Sequence, residues 1–179
     1  MIRPFLQTRF SGCALFLMIA GIAASTFVVE AAEPAATLKD LMAVTITDTT
    51  NVLWNAALLE PPAGAEKPAP TDAQWQEFAS NAKALAAAVE RLAAADLPIA
   101  PEGTAAAEGS LAPAAIAQLR SENSAAWQAQ VKVLQTGADA ALRATEVKDF
   151  DALLSASDAM YPVCESCHQQ FWYPGQGPQ

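Results

Sequence analysis

The chain has 179 residues, 53% of them hydrophobic and 16% charged, with ten Lys and Arg against nineteen Asp and Glu for a net charge of −9. That length suits one domain behind a short targeting segment, and the acidic balance excludes a nucleic-acid binder or a protein that clings to an anionic membrane surface. Three cysteines and one histidine are too few for a zinc cluster or a disulfide scaffold, while an alanine-rich apolar fraction favours an all-α protein.

Residues 1–32 read as a signal peptide. Met1 to Phe10 carries Arg3 and Arg9 and no acid, an apolar run follows from Cys13 to Ala24, and small residues precede Glu33-Pro34. A positive start, an apolar middle and a small-residue break form the pattern of secretory export. The break places cleavage after Ala31 or Ala32, with Ser25 as an alternative. An uncleaved anchor is the competing reading, because Ser11 to Val29 is nearly long enough to span a bilayer. Cys13 precedes the apolar run instead of ending it, which argues against lipidation. Cleavage at Ala32 leaves a domain of residues 33–179 with eight basic and eighteen acidic residues, a net charge of −10. This domain would be periplasmic, free of the membrane, and left with two cysteines, Cys164 and Cys167.

Four helical segments follow. The first runs from about Leu38 to Leu58, opened by Thr37 and Asp40 as a capping box, with Leu38, Leu41, Met42, Thr45, Ile46, Thr49, Val52 and Leu53 at helical spacing. Glu60-Pro-Pro-Ala-Gly stops it. Thr71 and Gln74 form a second capping box, and Trp75, Phe78, Ala82, Leu85, Val89 and Leu92 make the apolar stripe of the second segment. A long connection from Leu97 to Pro113 holds three prolines and two glycines. The third segment starts between Pro113 and Ser121 and carries Trp127, Val131, Leu134, Ala138 and Leu142. Asp149 caps the fourth, whose stripe is Phe150, Leu153, Leu154, Met160, Tyr161, Cys164, His168 and Phe171, with the small polar Ser157 among them. Pro162 predicts a kink or a helix restart, because it lacks an amide proton. The tail Pro174-Gly-Gln-Gly-Pro-Gln reads as a disordered end. No alternating strand pattern and no repeat is visible, so the expectation is an antiparallel, up-down-up-down four-helix bundle.

The chemistry is concentrated in Cys164-Glu-Ser-Cys167-His168, the Cys-x-x-Cys-His spacing of a covalent c-type haem attachment site. Two thiols three residues apart reach the two vinyl groups on one side of a porphyrin, and the adjacent imidazole reaches the iron. The motif uses both remaining cysteines and the only histidine. A redox dithiol and a chance spacing are the competing readings. The dithiol usually stands at a helix start after a strand, a context missing here.

With His168 assigned, no second histidine remains for the sixth iron position, and a methionine thioether is the strong alternative. Beyond the leader the methionines are Met42 and Met160. Met160 precedes Cys164 by one turn on the same helix, which places it beside the haem and not across it. Met42 lies on the first helix, alongside the fourth in an antiparallel bundle, and is either an iron ligand or ordinary core packing.

A haem motif near the C-terminus of a four-helix chain, behind a leader, resembles the class II cytochromes c, the cytochrome c′ family. The resemblance covers residues from about Leu38 to Phe171. Its specific stretches are Cys164-Glu-Ser-Cys167-His168-Gln-Gln-Phe171 and Leu41-Met42, the latter falling where six-coordinate, low-spin members carry their axial methionine. It implies one haem c, iron ligands His168 and Met42, redox partner proteins, and relatives that often pair as homodimers. Five-coordinate members bear a non-ligating residue on that helix and bind small gases. Two positions depart from the family: Leu38 stands where a basic residue often lies one turn before the methionine, and Trp172 replaces a basic residue just past the haem aromatic.

Trp54, Trp75 and Trp127 read as core, with porphyrin packing as the alternative, and Tyr161, Phe171, Trp172 and Tyr173 are expected around the haem. The scattered acids read as solvated helix faces, and they would steer a basic partner. No carboxylate pair, nucleophile–base pair or phosphate loop points to an enzyme. The sequence therefore predicts a periplasmic mono-haem cytochrome c carrying single electrons. A five-coordinate binder of nitric oxide or carbon monoxide is the alternative, and an assembly subunit with incidental haem is a third.

Overall fold

The computed structural model describes residues 37–59 and 69–175, which are helical and contain no strand. The leader assigned to residues 1–32, most of the Glu60–Pro70 loop and residues 176–179 of the tail lie outside the described residues. Among the described residues no helix is long and apolar enough to cross a membrane.

Helix α1 (residues 38–59) begins at Thr37, whose hydroxyl oxygen accepts from the Asp40 amide at 3.2 Å and whose proton goes to the Asp40 carboxylate at 2.6 Å. Its first free amides are satisfied from outside the helix: Leu38 N donates to Pro98 O at 2.7 Å and Lys39 N to Ile99 O at 2.9 Å. The Leu97–Pro113 connection thus holds the start of α1, with Leu97 and Ile99 buried in the core. Along its length α1 changes pitch. Leu38–Asp40 is α-helical, Leu41–Ile46 is π-helical, Thr47–Asn55 is α-helical again, and Ala56–Leu59 tightens to a 3-10 turn.

Helix α2 (Asp72–Leu92) opens on the capping box read from the sequence: Thr71 N donates to Gln74 Oε1 at 2.8 Å, and Gln74 N to Thr71 Oγ1 at 3.3 Å. The third segment proves to be two helices, α3 (Pro113–Glu122) and α4 (Ser124–Glu146), separated at Asn123. Asn123 closes α3 with its own side chain, since both its amide and Nδ2 donate to Leu119 O at 3.0 Å. Helix α5 (Phe150–Phe171) starts at Asp149, which accepts from Ala152 N at 2.9 Å, and it runs without a restart through Pro162.

Helix α5 packs along α4, α4 along α2, α2 along α1, and α1 returns to α5. The start of α4 lies against the end of α2, where the Trp127 indole donates to Leu92 O at 2.9 Å. It also lies against the end of α5, where Gln130 Nε2 donates to Ser166 Oγ at 2.9 Å. At the opposite end Trp75, Phe78 and Phe150 form an aromatic knot with centroids 5.8–6.5 Å apart. Ser157, at a stripe position that calls for an apolar residue, is 1% exposed and returns its hydroxyl proton to Leu153 O at 2.8 Å. This local bond removes the penalty of burying a free hydroxyl.

Helix α4 has one glycine in its interior, Gly137, although glycine costs a helix about 1 kcal/mol relative to alanine. Its reason is Met160 of α5: a Cβ on Gly137 would meet Met160 Cγ at 2.6 Å, and Met160 is 1% exposed with nowhere to retreat. Gly137→Ala is therefore expected to lower stability. Overpacking costs about 1–3 kcal/mol, which outweighs the helix-propensity gain and leaves a net loss of about 1 kcal/mol in urea unfolding. A stabilised variant would mean that Met160 leaves this contact freely.

Candidate functional site

The spacing Cys164, Cys167, His168 is i, i+3, i+4, which sets the three side chains on one face of α5. That face looks into a cavity of about 260 Å³ whose wall includes all three residues. Helix α1 forms the facing wall with Met42, Ile46, Thr50 and Trp54, and α4 contributes Trp127, Val131 and Leu134. Met42, half-buried and 122 positions before Cys164, thus shares one cavity with Cys164, Cys167 and His168. The volume is just under the ~300–1,000 Å³ usual for small-molecule sites, and Tyr161, 56% exposed, stands at its edge.

Met160 is placed differently from the expectation. It is absent from the cavity wall and turned to Gly137 on α4, because the stripe of α5 splits into a face toward α4 and a face toward the cavity. Of the aromatic group expected around the motif, Tyr161 alone lines the cavity. Phe171 is buried edge-on against Trp127 at 5.2 Å. Trp172 and Tyr173 lie with ring centres 6.2 and 6.0 Å from His168, and Trp172 O accepts from Leu111 N at 2.9 Å. Trp54 and Trp127 belong to the cavity wall, whereas Trp75 sits in the distant aromatic knot.

Both intervening residues of the motif are held. Glu165 accepts from Gln169 Nε2 at 2.7 Å and from Tyr173 OH at 2.9 Å, while Ser166 receives the Gln130 amide described above. Glu165 is the charged side chain on the cavity wall. Burial pushes the His168 pKa below its ordinary value, opposed by the Glu165 charge, which favours the neutral imidazole with a lone pair to offer. Burial raises the Cys164 thiol, and burial together with Cys164 pushes Cys167 up to about 12. A redox dithiol needs the opposite shift. No group of three or more His, Cys, Asp or Glu side chains gathered for a metal ion exists among the described residues.

Thr47, Thr50, Asn51 and Gln130 also line the cavity and were not singled out in the sequence, while Leu92, read there as part of the α2 stripe, lines it too. Thr50 had a signal, since it lies eight residues after Met42 and four before Trp54, but Gln130 and Asn51 had none. Compared with known protein families, with curated proteins and with solved structures, the chain matches none.

The thiol environment gives a pH dependence. With both thiols free, the folded Cys167 thiol holds its proton up to about 12, against 9.0 for an ordinary thiol. Between those values the unfolded state binds fewer protons, so this contribution to stability is full below pH 9.0 and is lost as pH rises towards 12. Unfolding of the protein with both thiols free should show that decline, and Cys167→Ser should flatten it.

Proposed function

We propose that the chain is an exported mono-haem c-type cytochrome that passes single electrons between partner proteins. The observation that carries the reading is the convergence of two thiols, one imidazole and one thioether on a single, largely apolar cavity. This donor set fits a covalently attached haem. Cys164 and Cys167 would hold it, and His168 and Met42 would face its iron. The haem supplies a one-electron ferric–ferrous couple when bound.

The remaining work falls to the chain. His168 would offer the lone pair of its imidazole to the iron, and the thioether of Met42, a soft donor, would favour the ferrous state and raise the potential. Ile46, Val131 and Leu134 give the cavity an apolar wall, which would favour the iron state of lower charge and limit side reactions. The same reading assigns α1, α2, α4 and α5 to an antiparallel four-helix bundle. Support comes from the Trp127–Leu92 and Gln130–Ser166 bonds, which join starts of helices to ends of their neighbours. The positive, apolar, small-residue pattern of residues 1–32 supports export to the periplasm. The net charge of −9, with Glu165 on the cavity wall, supports a basic partner drawn by electrostatic steering.

The reading is tested by the absorption spectrum of the haem-loaded, reduced protein with and without carbon monoxide. A sharp low-spin spectrum indifferent to the gas is expected, and Met42→Ala should convert it to a gas-responsive, high-spin form. If the wild type already responds to carbon monoxide and Met42→Ala changes nothing, Met42 is not a ligand and gas binding becomes the better account. Replacing both Cys164 and Cys167 with Ser should abolish covalent haem retention after acid extraction.

A further inference from the structure

The cavity face of α1, followed back from its C-terminal half, comprises Trp54, then Thr50 with Asn51, then Thr47 with Ile46. At 3.6 residues per turn that face continues to Ala43. Ala43 is nevertheless exposed, and Met42 lines the cavity in its place. The register is displaced by the π-helical segment Leu41–Ile46, where the Thr47 amide donates five residues back, to Met42 O. Such a turn contains one residue more than an α-turn.

A side chain is bonded into the same turn. Thr47 Oγ1 donates to Met42 O at 2.7 Å, so one carbonyl receives both the amide and the hydroxyl of Thr47. Thr49 donates to Thr45 O at 2.7 Å and Thr50 to Ile46 O at 2.7 Å, which supplies further donors around the wide turn. Threonines that bond back to main-chain carbonyls compete with regular α-helical geometry and bend helices. Their concentration here matches the place where α1 departs from the α-helix.

We propose that Thr47 is a positioning residue for Met42. By closing the π-turn on the Met42 carbonyl, it sets the register that gives the cavity a thioether instead of the methyl group of Ala43. The proposal rests on the reading of Met42 as the thioether ligand of the haem iron.

The test uses the full chain matured with haem. Its readouts are the sulfur-to-iron charge-transfer band of the ferric protein and the association rate of carbon monoxide with the ferrous protein. Thr47→Val keeps the branched shape and removes the hydroxyl. It should weaken the band and raise the methionine-off population, and with it the carbon monoxide rate, about fivefold, the weight of one neutral hydrogen bond. Thr47→Ser should restore both. Thr136→Val removes a comparable bond on α4, from Thr136 Oγ1 to Lys132 O at 3.0 Å, and should change neither. Deleting Ala43 takes the extra residue out of the turn and leaves Met42 four places before Thr47, on the cavity face of a plain α-helix. In that background Thr47→Val should be silent. Unchanged readouts in Thr47→Val, equal changes in Thr136→Val, or an undiminished effect after the deletion each overturn the proposal. A wild-type protein without the band overturns the ligand assignment first, and the positioning role with it.

Discussion

The cavity depends on a fixed spacing between α1 and α5, and one hydrogen bond ties those walls directly. The Trp54 indole donates to the Ser157 carbonyl at 2.9 Å across 103 residues of sequence. The bond needs a small residue on α5, so that a large aromatic side chain can come close to the main chain. Ser157 meets that need, and its own hydroxyl is satisfied locally at Leu153 O, so the small polar residue is buried without a penalty. Trp54 then stands edge-on to Tyr161 at 6.1 Å, and both line the cavity. The loop that anchors Leu38 and Lys39 performs the same service at the other end of α1, beyond Met42.

How much of this was legible depends on the kind of signal. The capping box at Thr71 and Gln74, the Asp149 cap and the stripe of α2 are local, and local chemistry fixed each of them as read. The shared face of Cys164, Cys167 and His168 was legible because a spacing of i, i+3, i+4 sets three side chains on one side of a helix. The break at Asn123 was not, since alanine-rich sequence on both sides favours continuation and the break is stabilised by a side-chain bond to Leu119. At Pro162 the helix does not restart. A proline costs one helical hydrogen bond, but the packing of α5 against both α4 and α1 holds the helix through it. Met160 was misplaced because helical spacing gives the angle around an axis and not the identity of the neighbour. Only the missing side chain at Gly137 shows which helix it faces.

The thiol environment separates two chemistries that share the Cys-x-x-Cys spacing. A reactive dithiol sits where a helix N-terminus or a cation stabilises the thiolate. Cys164 and Cys167 lie near the C-terminal end of α5 in a buried wall, and the field there favours the protonated thiol. On the proposed reading this keeps the pair reduced and uncommitted in an oxidising compartment. A reactive partner group brought into the cavity then has two thiols to meet.

The π-turn of α1 shows why Met42 carried two readings in the sequence. Ile46 is both buried and on the cavity wall, and in a continuous α-helix Met42, four residues before it, would lie at the core edge of that face. With one extra residue in the turn, the buried position passes to Leu41, which is 4% exposed and five residues before Ile46. Met42 thereby lines the cavity while it still packs against the edge of the core, and Leu38 keeps its buried place one turn before. A single added residue thus solves two packing problems that an α-helix sets against each other: filling the core beneath α1 and presenting a thioether above it. Periodicity cannot reveal such a turn, because Leu41 and Met42 are both apolar and either satisfies the stripe. The signal that does exist is the run of threonines from Thr45 to Thr50, poor helix formers whose hydroxyls find partners in the carbonyls around the wide turn.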